Sequence, residues 1–160
     1  MRVCTGMLAY ALFAVATFGA RPTDLVGAWT TKVQFKTGAF ASVKDLEFST
    51  VFNQGGTMTE SSNYDAVPPV PPAYGIWKKT GPSRYEAKYV YYITKPPAKF
   101  DDISSGGGWM PDGRGVLVEK IVLGSNGQTY KSSLTLKTYD AKGKLLETWS
   151  AVCGGVRMKF

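Results

Sequence analysis

The chain has 160 residues, which is enough for one ordinary domain and too few for two. It contains no histidine, which excludes Ser–His–Asp and Cys–His catalysis together with histidine-ligated metal sites. Its excess of seven positive charges is spread singly or in pairs, whereas nucleic-acid-binding domains usually carry a basic stripe and a recognisable module. The glycine-rich stretch 106–115 lacks the G-K-[ST] ending of a phosphate-binding loop. We therefore expect no metal, no cofactor and no nucleic-acid partner.

The first 20 residues have the layout of a secretory signal peptide: Arg2, an apolar stretch from about residue 7 to residue 18, and small residues up to Ala20. The apolar stretch is shorter than the roughly 20 residues that span a bilayer, so we expect no membrane span. We predict a signal peptide at 1–20, a mature domain at 21–160, and export to the periplasm or the extracellular space. An uncleaved anchor and a buried N-terminal helix are the alternatives. Cleavage removes Cys4, so we expect Cys153 to be a buried small side chain without a disulfide partner.

The first half of the mature chain alternates apolar and polar residues with the period of β-strands. In "WTTKVQFK", the side chains of Trp29, Thr31, Val33 and Phe35 share one face. "LEFSTVF" and "TMTESS" predict a strand and its return strand around the turn residues "NQGG". The four prolines of "NYDAVPPVPPA", residues 63–73, exclude a central strand and predict an extended loop.

The second half predicts two further hairpins and a final strand. "YGIWKK" and "RYEAKYVYYI" flank the turn "TGPS", and "VLVEKIVL" and "TYKSSLTLKTY" flank "GSNG". "TKPPAKFDDISSGGGWMPDGRG" predicts a loop of about twenty residues, and "KLLETWSAVC" predicts a last long strand before a short extended segment in "VRMKF". This count of about eight strands predicts an all-β fold, a single antiparallel up-and-down β-barrel. Such a barrel encloses room for packed side chains or for one small ligand.

Two short elements carry a resemblance to a known family. "LVGAWTT" resembles the G-x-W element that opens the first strand of lipocalins and other calycins, with Gly27 and Trp29 at the matching positions. "GIWKKTGPSRY" resembles the G-x-W-x-x-T-G-P-x-x-Y element of secreted lipocalin-like proteins. The resemblance covers roughly residues 25–150 and implies a lipocalin-like barrel. The chain departs from the family in lacking a disulfide pair and in its long 94–112 loop.

The resemblance also implies that Trp29 closes one end of the barrel beneath an arginine near the last strand. Arg157 is the candidate for that arginine. The attraction between an indole face and a guanidinium group supports the same pairing on physical grounds.

Four aromatic residues have the alternation needed to face the barrel interior together: Trp77, Tyr85, Tyr89 and Tyr91. Aromatic walls with a few polar atoms are typical of a site for an apolar ligand, so we predict that these residues bind one. The alternative is that the same side chains simply fill the core.

Three glutamates, Glu60, Glu119 and Glu147, lie within predicted strands. If one of them pointed inward, burial would raise its pKa and make it a candidate general acid. Glu119 is the strongest candidate of the three because it shares a face with Leu117 and Ile121. We nevertheless expect Glu119 to point outward, hydrated or paired with lysine.

The sequence favours a secreted, non-catalytic protein that carries a small apolar or aromatic ligand. The alternative is a cofactor-independent barrel-type cyclase or isomerase of secondary metabolism that uses tyrosine and glutamate as acid–base groups, and a third interpretation is an interaction protein that works through its loops. An inward carboxylate would favour the enzyme, a dry apolar cavity the carrier, and a filled barrel the interaction protein. The sequence determines neither the ligand nor the oligomeric state.

Overall fold

The computed structural model describes residues 24–64, 72–105 and 108–160. In this part of the chain eight antiparallel strands form one closed up-and-down barrel, in which each strand pairs with the next and the last pairs with the first. The strands are β1 (Gly27–Phe35), β2 (Glu47–Phe52), β3 (Thr57–Ser62), β4 (Ala73–Gly81), β5 (Arg84–Lys95), β6 (Met110–Leu123), β7 (Thr129–Asp140) and β8 (Leu145–Arg157). The predicted fold class is therefore confirmed. The predicted signal peptide and residues 65–71 of the proline-rich loop lie outside the described residues.

Two boundaries differ from those that the sequence predicts. β6 begins at Met110, which shortens the predicted long loop to 96–109, and this loop contains a 3-10 helix at Phe100–Ile103. Pro111 is accommodated beside an irregularity in the pairing of β5 with β6, where a missing N–H is tolerated. β8 continues to Arg157, so the first two residues of the predicted short C-terminal segment belong to the last strand.

A second 3-10 helix, Ala39–Ser42, connects β1 to β2. Neither 3-10 helix of the described residues has the length or the hydrophobicity needed to cross a bilayer.

Alternation along each strand separates an apolar interior from a basic outer wall. On β1 the inward set is Trp29, Thr31, Val33 and Phe35, all buried as the sequence predicts. The lysines lie elsewhere, because every lysine of the described residues is exposed. The positive charge of the chain is therefore carried mainly by the outer surface.

Two inward positions are glycine because an aromatic ring occupies the space that a side chain would need. The ring of Tyr130 on β7 lies against Gly155 on β8, and the ring of Tyr91 on β5 lies against Gly115 on β6. Each ring and its glycine are direct partners on adjacent strands. A side chain at either glycine would displace the ring, so these pairings set where large side chains fit in the barrel.

One end of the barrel is closed by Trp29 and Arg157, which confirms the pairing that the resemblance implies. Trp29 is completely buried, and the guanidinium carbon of Arg157 lies 4.3 Å from the centroid of its ring. The indole Nε1 donates a hydrogen bond to the carbonyl oxygen of Leu25 at 3.0 Å. The residues that precede β1 are thereby fastened to its first inward side chain.

The guanidinium group of Arg157 also binds three backbone carbonyl oxygens. It donates from Nη2 to Asp24 at 2.7 Å, from Nη1 to Val26 at 2.5 Å, and from Nε to Gly127 at 2.9 Å. These bonds join the segment before β1 to the β6–β7 turn. Arg157 therefore both stacks on the indole ring and links two segments across the closed end.

We expect Trp29→Ala to lower the free energy of unfolding by about 3–5 kcal/mol, as deletion of a large buried side chain does. Arg157→Ala should cost less, and the two changes should be non-additive in a double-mutant cycle because the groups are in contact. Arg157→Lys keeps the charge but loses the planar arrangement of donors, so it should resemble Arg157→Ala. Denaturant unfolding of the single and double variants measures these differences, and full additivity would refute the pairing.

Candidate functional site

Three layers of side chains follow one another along the barrel interior. The closed-end cluster consists of five aromatic rings in mutual contact: Trp29, Phe52, Trp77, Tyr85 and Tyr130. The opposite end carries the far-end cluster: Phe35, Phe40, Tyr64 and Trp149. Between the two clusters lies a polar belt of inward side chains: Thr31, Thr50, Glu60, Tyr89, Glu119 and Ser132. The belt is the candidate site.

Glu119 on β6 is buried in this belt, with 3% of its surface exposed. Its Oε2 accepts a hydrogen bond from the hydroxyl of Tyr89 at 3.2 Å, and its Oε1 accepts one from the hydroxyl of Ser132 at 2.5 Å. Burial raises the pKa of Glu119, while the two hydrogen bonds favour the carboxylate and lower it. The two hydroxyls thus partly offset the loss of water around this carboxyl group.

The expectation that Glu119 points outward is wrong. Leu117 and Ile121, which share its face of β6, are both core residues. An outward Glu119 would require the alternation of β6 to break between them. The strand keeps its alternation, and hydroxyl groups on β5 and β7 supply partners for the carboxyl group.

Glu60 on β3 is also buried, with 6% of its surface exposed. Its direct partners on the neighbouring strands are Thr50 and Ala73, both buried. The Oε1 atom of Glu60 has no hydrogen-bond partner among the described residues. Burial, and secondly the negative charge of Glu119, raises the pKa of Glu60 to about 8. Glu60 is therefore mainly a neutral carboxylic acid at neutral pH.

The hydroxyl groups around the two carboxyl groups remain protonated. Burial, and secondly the negative charge of Glu119, raises the pKa of Tyr89 well above its ordinary value. Burial, and secondly the negative charge of Glu60, raises the pKa of Tyr91 to about 12. The oxygens of Thr31 and Tyr130 lie 2.6 Å apart and share a hydrogen bond. The belt therefore combines two carboxyl groups with raised pKa values and several neutral hydroxyls.

Two of the four residues predicted to bind a ligand lie near the belt. Tyr89 is fully buried and donates its hydroxyl to Glu119. Tyr91 is half-buried one inward position closer to the far end, where the charge of Glu60 influences it. The structure thus brings Tyr89 and Tyr91 together with the carboxyl groups.

The other two, Trp77 and Tyr85, belong to the closed-end cluster. Their ring centroids are 5.8 Å apart, and Trp77 also contacts Phe52. The indole Nε1 of Trp77 points to the carbonyl oxygens of Asn53 and Thr57, at 3.1 Å from each. These contacts hold Trp77 in the packing that closes the barrel.

Glu147 and Cys153, the other candidate side chains, are not suited to acid–base chemistry in the belt. Glu147 on β8 is exposed. Cys153 is buried, which confirms the prediction for it, and burial followed by the charge of Glu119 raises its pKa to about 12. Cys153 is therefore a neutral thiol at neutral pH. Among the described residues no three acidic or cysteine side chains form a group that could hold a metal ion.

Glu60 was identified from the sequence only as one of three strand glutamates, and Ser132 was missed. A signal was present for both, since Glu60 shares its strand face with Met58 and Ser132 lies between Tyr130 and Leu134 on the inward face of β7. Alternation alone, followed strictly, would have placed both side chains inside.

Comparison of the chain with protein-family models, with curated protein sequences and with solved structures finds no match. The barrel fold is compatible with ligand binding, and the residues of the belt determine what chemistry the site can support.

The two buried carboxyl groups of the belt differ in their hydrogen bonds. Glu60 in its neutral form has one O–H to donate, whereas Glu119 accepts hydrogen bonds on both of its oxygens. Neighbouring carboxyl groups whose environments push their pKa values apart are a known basis for proton transfer and for recognition of polar ligands.

We expect the free energy of unfolding to fall as the pH rises from about 5 to about 8, because Glu60 ionises near 4.5 when unfolded and near 8 when folded. Folding favours the protonated form, so its stabilising effect is complete below the unfolded pKa and is lost as the pH rises through the folded pKa, with a slope approaching about 1.4 kcal/mol per pH unit. Glu119 has a raised pKa and acts in the same direction.

Denaturant unfolding between these pH values tests this expectation. Glu60→Gln should reduce the slope, and the double variant with Glu119→Gln should reduce it further. Glu147→Gln, which makes the same change at an exposed position, should leave the slope unaltered. A Glu60→Gln protein with the unaltered slope would show that Glu60 titrates normally.

Proposed function

We propose that the protein is an exported, lipocalin-like binding protein that holds a small organic molecule with an aromatic or apolar body inside the barrel. The molecule contacts the polar belt through one polar group and the surrounding aromatic rings through the rest of its surface. The observation that carries this proposal is the buried carboxyl oxygen of Glu60, which has no partner among the described residues.

An unpartnered carboxyl oxygen in a protein interior is costly, by about 1–3 kcal/mol or more for a charged group. Native interiors therefore provide partners for nearly all buried polar atoms, and exceptions often mark functional positions. Glu119 shows that this barrel can satisfy a buried carboxyl group with its own hydroxyls. The lack of such a partner at Glu60 supports a bound molecule as the missing partner.

The two ends of the barrel differ in a way that supports entry from one side. The closed end is linked by the three hydrogen bonds of Arg157 to backbone carbonyl groups. The far end is capped by side chains that are only half-buried or exposed, including Phe40, Tyr64 and Trp149. Rearrangement of a few side chains there opens a path to the belt more readily than rupture of the Arg157 network.

Tyr91 provides a test that separates binding from packing. Tyr91→Ala should weaken binding of an environment-sensitive apolar dye and lower the free energy of unfolding less than Trp29→Ala, because Tyr91 is half-buried and Trp29 is completely buried. Dye titration and denaturant unfolding of both variants measure the two quantities. If the unaltered protein binds no apolar probe, and native mass spectrometry of protein from its own source finds no bound molecule, the proposed function is wrong.

The second candidate function, a cofactor-independent cyclase or isomerase, is favoured by one specific observation. The raised pKa of Glu60 leaves an acid beside the carboxyl group of Glu119. An acid that gives a proton to a bound molecule and a base that removes one from it are what an isomerisation requires. Conversion of the co-purified molecule to a product of equal mass during incubation, abolished in Glu60→Gln, would establish this function.

Export is the remaining part of the proposal, and its support is the sequence of residues 1–20. We expect N-terminal sequencing of the protein recovered outside the cytoplasm to begin near Arg21. An intact Met1 on a protein confined to the cytoplasm would refute export and leave the binding proposal in place.

A further inference from the structure

We infer that the molecule bound at the polar belt is a small organic cation, an amine joined to an aromatic or apolar body, with its ammonium group held by Glu60 and Glu119. This inference rests on the proposed function, because it names the class of molecule that the same interior binds.

The distribution of charged side chains favours a cation in the barrel interior. Both carboxyl groups lie in the interior, whereas every lysine of the described residues is exposed. Arg157 is committed to the closed end, where it stacks on Trp29 and donates to three carbonyl oxygens. Without a buried cation among the described residues, ionisation of both carboxyl groups is unfavourable, which is why Glu60 stays mainly protonated at neutral pH. An ammonium group at the belt would supply the counter-charge that allows both to ionise.

The hydrogen-bonding groups of the belt also favour an ammonium group. An ammonium group has up to three N–H donors and no acceptor. The carboxylate of Glu119 retains acceptor capacity beyond its two hydroxyl partners, and Oε1 of Glu60 has no partner among the described residues. A donor-only ligand group therefore matches the belt. A carbonyl group, which only accepts hydrogen bonds, matches Glu60 only while Glu60 stays protonated, whereas a hydroxyl group has one donor and lacks the positive charge.

The aromatic rings of Tyr89 and Tyr91 lie in or near the belt and favour an organic cation. Tyr91 lies close enough to Glu60 for the negative charge of that carboxyl group to raise its pKa, and the ring of Tyr89 is in the belt itself. Tyrosine faces attract organic cations, and their apolar surface suits the body of an amphiphilic amine. The lysines of the outer wall are exposed, so water and salt weaken their effect on a cation in the interior.

Binding of the cation should release a proton. Around neutral pH Glu60 is mainly protonated, and an ammonium group beside it favours the carboxylate, so the proton passes to the solvent. The other titratable groups near the carboxyl pair are Tyr89 and Tyr91 of β5, Tyr130 of β7 and Cys153 of β8, and all have raised pKa values. They are neutral before and after binding, so the proton comes from the carboxyl pair, and chiefly from Glu60, whose pKa is raised to about 8.

Isothermal titration calorimetry with three probes that share an indole ring tests the inference: tryptamine, an amine; tryptophol, its alcohol counterpart; and indole-3-acetate, a carboxylate. At neutral pH we expect tryptamine to bind at least about tenfold more tightly than tryptophol, and indole-3-acetate to bind most weakly. Repeating the tryptamine titration in buffers of different ionisation enthalpy should show release of up to about one proton.

Glu60→Gln should remove the preference for tryptamine over tryptophol and the proton release. Glu86→Gln is the matched control, because Glu86 is paired with lysines on the outer face of β5, and it should keep both. If Glu60→Gln does not fold, the ranking of the three probes on the unaltered protein decides the question by itself.

Equal or tighter binding of tryptophol, or tightest binding of indole-3-acetate, would overturn the inference and leave the proposed binding function standing. Binding of the apolar dye without binding of tryptamine would do the same. Failure of the dye and of all three indole probes to bind would overturn the inference together with the proposed function.

Discussion

The buried carboxyl group of Glu119 is the constraint on which the interior of this barrel depends. An ionised carboxyl group removed from water persists only when hydrogen bonds or opposite charges replace the lost solvation. Here the replacements are the hydroxyls of Tyr89 and Ser132, one from each neighbouring strand. The closed pairing of β5, β6 and β7 fixes the register that brings these three residues together. Because Glu119 is held in this way, its charge raises the pKa of the nearby Glu60.

The packing of the closed end offsets the free-energy cost of burying the polar belt. The belt weakens the core, since polar side chains occupy positions where apolar ones would pack without a solvation cost. The indole ring of Trp29 is buried in the closed-end cluster. Arg157 at the same end donates hydrogen bonds to three backbone carbonyl oxygens and so joins the segment before β1 to the β6–β7 turn. Cys153, the cysteine of the described residues, is free, so these contacts do in this chain what a disulfide does in many exported domains. Stability and polar chemistry are therefore placed at different depths of the same barrel.

Strand alternation was sufficient to predict the architecture and much of the interior. The inward set of β1 and the inward face shared by Tyr85, Tyr89 and Tyr91 are direct consequences of a period of two. The stacking of Arg157 on Trp29 required the resemblance as well, because the two residues are far apart in sequence. The start of β6 was missed because Pro111 and Gly113 are typical of loops, and only their pairing with β5 makes them part of a strand.

The two glutamates were harder to predict for an energetic reason. Alternation indicates which face Glu119 occupies, but general experience with charged residues places such a side chain in water. The inward position is possible because of hydroxyl groups from two other strands, and their approach depends on the register of the closed barrel. Glu60 presents the same difficulty in a sharper form, since the described residues provide no partner for its Oε1. Where the hydrogen-bond partner of a buried group would come from a ligand, the sequence contains no residue that indicates the inward position of that group.

The carrier and the enzyme use the same two carboxyl groups and differ in where the proton goes. A carrier exchanges the proton of Glu60 with the solvent, whereas an isomerase gives it to the bound molecule and needs Glu119 to remove another. Hydrogen bonds that favour a carboxylate make it a weaker base, and both oxygens of Glu119 already accept one. Those bonds come from strands in the wall of the barrel, so they hold the carboxyl group in place and oppose the effect of burial on its pKa. A carboxyl group whose two oxygens are already occupied, together with an acid that has no partner among the described residues, is better suited to recognition than to proton transfer, and this supports the proposed binding function.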